Sequence, residues 1–474
     1  MGRSRLRPSD TRKPTGQMAV ERECAGLASG PGGFATLISG LAMHFTNRVA
    51  RPLAYLSRKA PDAGHLQSPG REARTKAPIL IFEMTWTGTI HAPGNSSTIE
   101  IVARAFPDHP VHVFAEAGHV RELRRSPLLD TNGQIVFHDI LVSRHFQGST
   151  GVVSWRRLAR EFATLWTAVR RVKQDGFCLL MLLSATPTAV FAASWLARLR
   201  GRTFVQVGLH GNLNDLFGRR SRNPLARALD LVSAMTAKHG GVLRFLVLED
   251  GIRTALARSH PVAAARTDVV PLPVNLSEFV ESECLWPPKP LRIGFVGQAT
   301  EAKGIGTFLE IARVLRARHG PAVAFHLVGR AMPGADLSRF TMLEEAPQTE
   351  HLPRAEFIRR ISGLHYVILP FRPGYYDLAA SGALIDAVTW LKPVIATAAG
   401  FIGDFFKAGG DIGHLCQTET ELLATVETLV ASPDRARYTA QVNALRAMRD
   451  KRSPAALAET YKMIVSRHFP RMVS

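Results

Sequence analysis

The sequence predicts an α/β chain that carries two parallel sheets in succession, each with helices on both faces. Three observations predict it. The stretch LRIGFVGQATEAKGIGTFLEIARVL, from Leu291 to Leu315, passes from a short apolar run through a glycine turn into apolar positions at helical spacing. Alternating strand-like and helix-like segments precede it and follow it, the pattern of repeated βα units. A proline-rich connector, LWPPKP, separates the two series.

The first of these stretches organises the rest. Ile293, Phe295 and Val296 make a buried parallel strand, and Gly297 ends it. Ile305, Phe308, Leu309 and Ala312 then recur on one helical face, with Glu310 and Arg313 on the other, so a helix begins just after Gly304. The loop between them carries Lys303, and the free N–H groups of a helix start add positive potential there, which suits a phosphate. The spacing is neither GxGxxG nor GxxxxGK[ST], so it is not the usual dinucleotide or ATP fingerprint. Taken alone, the loop also fits a bare tight turn with a solvated lysine.

From Ala77 the chain offers APILIFEMTWTGTIHAPGNSSTIEIVARAF: a strand, a loop with Gly88, Pro93 and Gly94, and a helix that Asn95, Ser96 or Ser97 could cap. VHVFAE and GQIVFHDILV read as strands, and Trp155 to Lys173 as a basic amphipathic helix. Cys178 to Leu199 is almost wholly apolar. SATPT interrupts it, so it reads as a buried strand and then a helix rather than a membrane span. RTFVQVGLHGNLND gives a strand ending in His210 and Gly211, VLRFLVLEDGIRTAL a strand entering a helix, and RTDVVPLPVNLSEF a last strand turning outward. After the anchor the scheme repeats, with VAFHLVG, HYVILPF and KPVIAT as strands and RAEFIRRIS and GALIDAVTWL as helices.

These readings give two tandem Rossmann-like domains with a central cleft, where ligands meet the carboxyl ends of the strands. The expected division is a basic leader at 1–77, mostly disordered, and a first domain at 78–280. A connector at 281–290 leads to a second domain at 291–445. Residues 446–474 end in a helix that packs back on the first domain. That helix is marked by Ser453 as cap and Pro454 in its first turn.

With 474 residues, 46% of them hydrophobic, the chain can build more than one core. Its net charge of +20 implies attraction to something anionic: nucleic acid, acidic lipid or a phosphorylated substrate. Thirteen basic residues against five acidic ones stand in residues 1–77 alone. Phe34, Leu37, Ile38, Leu41 and Phe45 fall on one helical face there, followed by Arg48 and Arg51, which suits a short helix on an anionic membrane surface; a disordered tail has the same composition. Cys24, Cys178, Cys284 and Cys416 are far apart, with no metal-ligand spacing and no disulfide framework, which fits a reducing cytoplasm. No nucleic-acid module or aromatic-basic stripe is present.

The segments IGFVGQATEAKGIGTFLE, FHLVG, YVILPF and SGALIDAVTWLKPVIAT, with FLVLEDGIRTAL…VVPLPVNLSEF before them, occur in the order seen in GT-B glycosyltransferases. The chain resembles glycosyltransferase family 4, most closely over residues 242–397. The resemblance implies transfer of a sugar from a nucleotide-sugar donor, a UDP- or GDP-sugar, with retention and with no metal or other cofactor. It implies donor binding on the second domain and acceptor binding on the first. Position by position, Lys303 matches the lysine on the donor diphosphate, and Gln298 stands where the family's arginine follows the glycine. Gly297, Gly329, Ser381 and Gly382 fall in the backbone that meets the donor, and Asp386 matches the carboxylate expected to hold the ribose. The family's other glutamate position falls on Leu378. Asp377, one residue off register, and Tyr376 are the neighbours able to reach the sugar. His210 matches the histidine beside the transferred sugar, although a histidine satisfied at a strand end has the same sequence signature. Gly88 and Asn95 are the acceptor-side positions.

The expectation is therefore a cytoplasmic glycosyltransferase acting on a lipid-linked or polysaccharide acceptor in cell-surface glycan synthesis. Its partners are the nucleotide sugar, the acceptor and an anionic membrane surface, with peripheral attachment to the inner face, and not nucleic acid. Two alternatives stand beside it: a nucleotide-sugar epimerase of the same fold, and a degenerate GT-B protein that only binds partners.

Overall fold

The computed structural model describes residues 76–129, 133–142, 154–172, 176–216, 220–279, 289–374 and 377–472. The amphipathic stretch at 34–51 lies outside them, as does most of the 281–290 connector.

Two wholly parallel sheets carry the fold. The first has seven strands in the order β3-β2-β1-β4-β5-β6-β7: β1 Ile79–Glu83, β2 Val111–Ala115, β3 Ile135–Asp139, β4 Cys178–Ser184, β5 Thr203–Gly208, β6 Leu243–Val247 and β7 Thr267–Val269. The second has five in the order β12-β11-β10-β8-β9: β8 Leu291–Ala299, β9 Val323–Ala331, β10 Tyr366–Leu369, β11 Val394–Thr397 and β12 Gly413–Cys416. The strand order reverses between β1 and β4 in one sheet and between β8 and β10 in the other. Those are the points where crossover helices diverge to opposite faces and leave a crevice at the carboxyl ends.

Burial explains the composition of the strands. β1 and β4 are covered on both faces, and every residue in them is buried, as their unbroken apolar runs require. One apolar cluster runs from Leu80 and Phe82 through Val274 to Leu384, Phe401 and Met448, so the two sheets share a continuous core. The helix Pro454–His468 returns to the first sheet, where Leu457, Ala458, Tyr461 and Val465 join the cluster of Ile79, Ile81 and Val111. There the Tyr461 hydroxyl donates to Gln206 Oε1 at 2.5 Å. Cys178 and Cys416 are buried free thiols. No helix among the described residues is long and apolar enough to cross a membrane.

Three local expectations shift. The first helix begins at Ala92, earlier than a cap at Asn95, Ser96 or Ser97 requires. Pro93, with its fixed φ, starts the helix, and the Ser96 and Ser97 hydroxyls bond back to the Ala92 and Pro93 carbonyls. β5 stops at Gly208, so His210 stands beyond the strand, at the entry to a 3-10 turn. β7 is only three residues long, because Pro271 and Pro273 cannot donate to a ladder.

Candidate functional site

At the carboxyl end of the second sheet, β8 and β9 converge on Gly297 and Gly329, which are in register. A Cβ on Gly329 would lie 1.8 Å from the Gly297 carbonyl oxygen, so only glycine fits. Gly297 itself has φ +100, and its open side faces Lys303, whose Nζ would be 3.4 Å from a Cβ there. The Thr300 hydroxyl accepts from Lys303 N at 3.3 Å and closes the turn that aims this side chain. Gly304 follows with φ +79, and a Cβ on it would overlap the Pro370 carbonyl oxygen at 1.8 Å. The loop is thus wedged against the end of β10, on the crevice side of the switch point.

Lys303 and Asp386 sense each other's charge. Burial pushes the Lys303 ammonium down while Asp386 pulls it back up. Burial pushes the Asp386 carboxyl up to about 6, against Arg354 and Lys303, which hold it down. Asp386 projects from the helix Gly382–Thr389, whose N-cap Ser381 is buried and accepts from Leu384 N at 3.3 Å. Gly382 is exposed, with nothing of the protein within 4 Å of where a Cβ would stand. Gln298 lies half-buried, in register with Arg330. Asp377 is half-buried, Tyr376 falls outside the described residues, and Leu378 is fully buried in the main core. A side chain at 378 therefore packs, and it offers no carboxylate to the crevice.

A second set of polar groups stands at the carboxyl ends of β1, β4 and β5. His210 Nε2 lies 2.6 Å from the Leu183 carbonyl, so that nitrogen carries the proton. Burial pushes the ring toward the neutral form. His91 meets it edge-on at 5.9 Å and stacks on Trp86 at 4.7 Å. The loop 84–91 that carries both aromatic rings is held from below by two carboxylates. Glu83 Oε1 accepts from Thr85 N at 2.8 Å and Trp86 N at 3.0 Å. Glu116 Oε2 accepts from Gly88 N at 3.4 Å and His119 N at 3.1 Å. Asn95 is buried beneath the same loop and bonds Glu83 and His119, so its part is to support the loop that carries Gly88.

Glu83, His119 and His138 are visible in the sequence near strand ends without a role. The structure joins the first two to the loop and stacks His138 on Phe114, pairing it with His112 across β2 and β3. His91, Glu116, Arg330 and Arg354 carry no sequence signal beyond their residue types, apart from Glu116, which caps the helix Ala117–Arg124 as an acidic residue before a helical run should. Among the described residues, no group of three or more His, Cys, Asp or Glu side chains is placed to hold a metal ion.

No protein-family model matches the sequence, and no curated protein matches it. Solved structures do. A glycosyltransferase from Rickettsia africae ESF-5 superposes with a TM-score of 0.57 at 11% identity, over 83% of this chain and 98% of that one. Anabaena Alr3699/HepE, solved in complex with UDP and glucose, gives 0.56 at 15% identity, over 82% and 100%. An alpha,alpha-trehalose-phosphate synthase (UDP-forming) from Burkholderia vietnamiensis gives 0.56 at 10% identity, over 83% and 100%. The fold is that of the two-domain GT-B glycosyltransferases, spanned from end to end.

Proposed function

We propose that the protein is a glycosyltransferase that moves a sugar from a nucleotide-sugar donor, a UDP- or GDP-sugar, to a lipid-linked or polysaccharide acceptor, retaining and metal-independent. The observation that carries the reading is the Lys303 side chain standing beside Gly297 at the close Gly297–Gly329 approach, at the switch point of the second sheet, with Asp386 near enough to influence its charge. In transfer the bond from sugar C1 to the diphosphate oxygen breaks and its electron pair leaves on the diphosphate. The acceptor hydroxyl oxygen then bonds C1 and gives up its proton, which the departing diphosphate oxygen takes. Lys303 offsets the charge growing on the leaving group, worth most in a site from which water is largely excluded. Asp386 accepts from the ribose hydroxyls, and the amides behind Ser381 and Gly382 meet the phosphates. His210 serves the transferred sugar as a neutral donor, with Asp377 and Tyr376 reaching it from the second domain. Gly88, with Asn95 beneath it, forms the acceptor side.

Support for a membrane-bound acceptor comes from the helix Trp155–Arg171. It exposes Trp155 and Trp166 together with Arg156, Arg160, Arg170 and Arg171, an apolar and cationic surface of the kind that settles on anionic lipid. Equal retention on acidic and neutral vesicles would remove this part of the proposal.

A non-catalytic binding protein of the same fold is the second reading, favoured by Leu378 packing into the core where a carboxylate is expected. Calorimetric titration of the full chain with UDP, GDP and their sugars, beside Lys303→Ala, tests the donor site. Saturable binding, weakened roughly tenfold or more in the variant as loss of a charged hydrogen bond implies, is the expected result. No binding to any of them would refute the donor reading. Binding without turnover of any sugar donor would favour the second reading.

A further inference from the structure

Gln298 leaves the donor loop with one cation, Lys303, and that cation already faces Asp386. Asp386 offsets part of its charge, whereas a diphosphate brings more than one negative charge. A second cation is needed; Arg354, the other cation that influences Asp386, is already paired with Glu278 at 2.6 Å, and the neighbouring strand has another. Arg330 follows Gly329 at the carboxyl end of β9 and stands in register with Gln298. Ala299 and Ala331, one residue on, turn into the core cluster of Phe295 and Phe325. Gln298 and Arg330 therefore share the opposite face, the one that carries Val296 and Val328 and on which the helices Arg354–Ser362 and Gly382–Thr389 pack.

The state of the Arg330 side chain is the second observation. Its Nε is buried and has no hydrogen-bond partner, and its guanidinium forms no ion pair among the described residues. Buried guanidinium nitrogens are held by carboxylates, carbonyls or a bound anion, and the Arg330 Nε has none of the first two among the described residues. The distance to the anion loop is short. Lys303 Nζ borders Gly297, and the Gly297 carbonyl abuts Gly329, the residue just before Arg330. A planar fork of donors at this point matches a pair of phosphate oxygens in a way that an ammonium does not.

We propose that Arg330 is a diphosphate-binding residue, its guanidinium taking oxygens of the donor diphosphate beside Lys303 and supplying from β9 the charge that Gln298 does not supply from β8. The inference rests on the donor reading above and deepens it. Arg330 then acts on the ground state and on the leaving group alike, because the same oxygens carry the charge in both.

The test is calorimetry on the full chain with UDP and GDP, and with uridine and guanosine as diphosphate-free controls. In Arg330→Gln the diphosphate affinity falls roughly tenfold or more while nucleoside affinity stays at the wild-type value. Arg330→Lys, which keeps the charge and stem but loses the fork, falls between the two, and it decides the matter if the glutamine variant does not fold. Adding Gln298→Arg to Arg330→Gln restores binding, since the two positions are neighbours on one face. Wild-type affinity for the diphosphate in either single variant overturns the inference and leaves the donor reading standing. A wild-type chain that binds neither diphosphate overturns both.

Discussion

Asn95 and His119 are joined by a 3.0 Å hydrogen bond that fixes the protonation of the ring. His119 Nδ1 stands 2.8 Å from the Gly88 carbonyl, which can only accept, so Nδ1 carries the hydrogen. Nε2 then offers a lone pair to Asn95 Nδ2, and the second amide hydrogen points to Glu83 Oε2 at 3.3 Å. Burial holds the imidazole below its ordinary pKa, in accord with this neutral form. One amide thus ties the end of β1 to the loop above it.

Asn95→Ala should leave a buried nitrogen and a buried carboxylate oxygen without their donor, at a cost of about 1–3 kcal/mol. The denaturant midpoint measures it. Nucleoside diphosphate affinity, which the proposal assigns to the other sheet, should not move. An unchanged midpoint would mean that water replaces the amide and that the link to the loop is dispensable.

Glu83 sets a pH dependence on the same network. Burial pushes its carboxyl up to about 7, against the N–H groups of Trp86 and Thr85. The folded chain therefore holds this proton more tightly than the unfolded chain. The stabilisation is fully present below the unfolded pKa and is lost as pH rises toward 7, a swing of roughly 3 kcal/mol at 1.36 kcal/mol per unit. Glu83→Gln removes the titration. The difference in unfolding free energy between wild type and variant should then shift toward the variant by roughly that amount between pH 5 and pH 8. Parallel stability curves across this range would show that Glu83 keeps one protonation state throughout.

How much of this was legible in the sequence follows from the range of the forces involved. The strand β8, the turn at Lys303 and the helix after it are written in local patterning, because a buried parallel strand and an amphipathic helix each impose their own period. Gly297 and Gly329 were legible as strand ends, but their mutual contact depends on register across two strands. His210 was legible only through resemblance. The Glu83–Asn95–His119 chain was not legible, since its members come from β1 and two helices and meet only when the sheet is assembled. Arg330 was hidden for the same reason: its neighbour Gln298 is 32 positions away in sequence and adjacent in the sheet. The first helix cap was misread because Asn and Ser favour caps by residue type, while Pro93 fixes the start by geometry.

A buried ion pair holds the crossover between the two sheets. Arg452, between the helices Arg435–Lys451 and Pro454–His468, meets Glu249 in a two-point bond, Nη1 to Oε1 and Nη2 to Oε2, both at 2.8 Å. Its guanidinium lies over the Phe405 ring at 4.6 Å, and its carbonyl accepts from Val274 N at 3.1 Å. Glu249 is the N-cap of the helix Asp250–Ser259 that follows β6, Phe405 belongs to the second sheet's helix Ile402–Gly409, and Arg452 stands where the chain crosses back. Both charges are almost fully buried, so removing one partner strands the other. Arg452→Ala should cost about 3–5 kcal/mol, and Arg452→Lys should recover only part because it cannot form the fork. Replacing both, Arg452→Met with Glu249→Leu, removes the stranded charge and should cost less than Arg452→Ala alone. A double-mutant cycle by denaturant unfolding measures the difference. If the double variant is destabilised by the sum of the two single effects, the pair is not coupled and the crossover is held by the apolar contacts around Phe405 and Val274 instead.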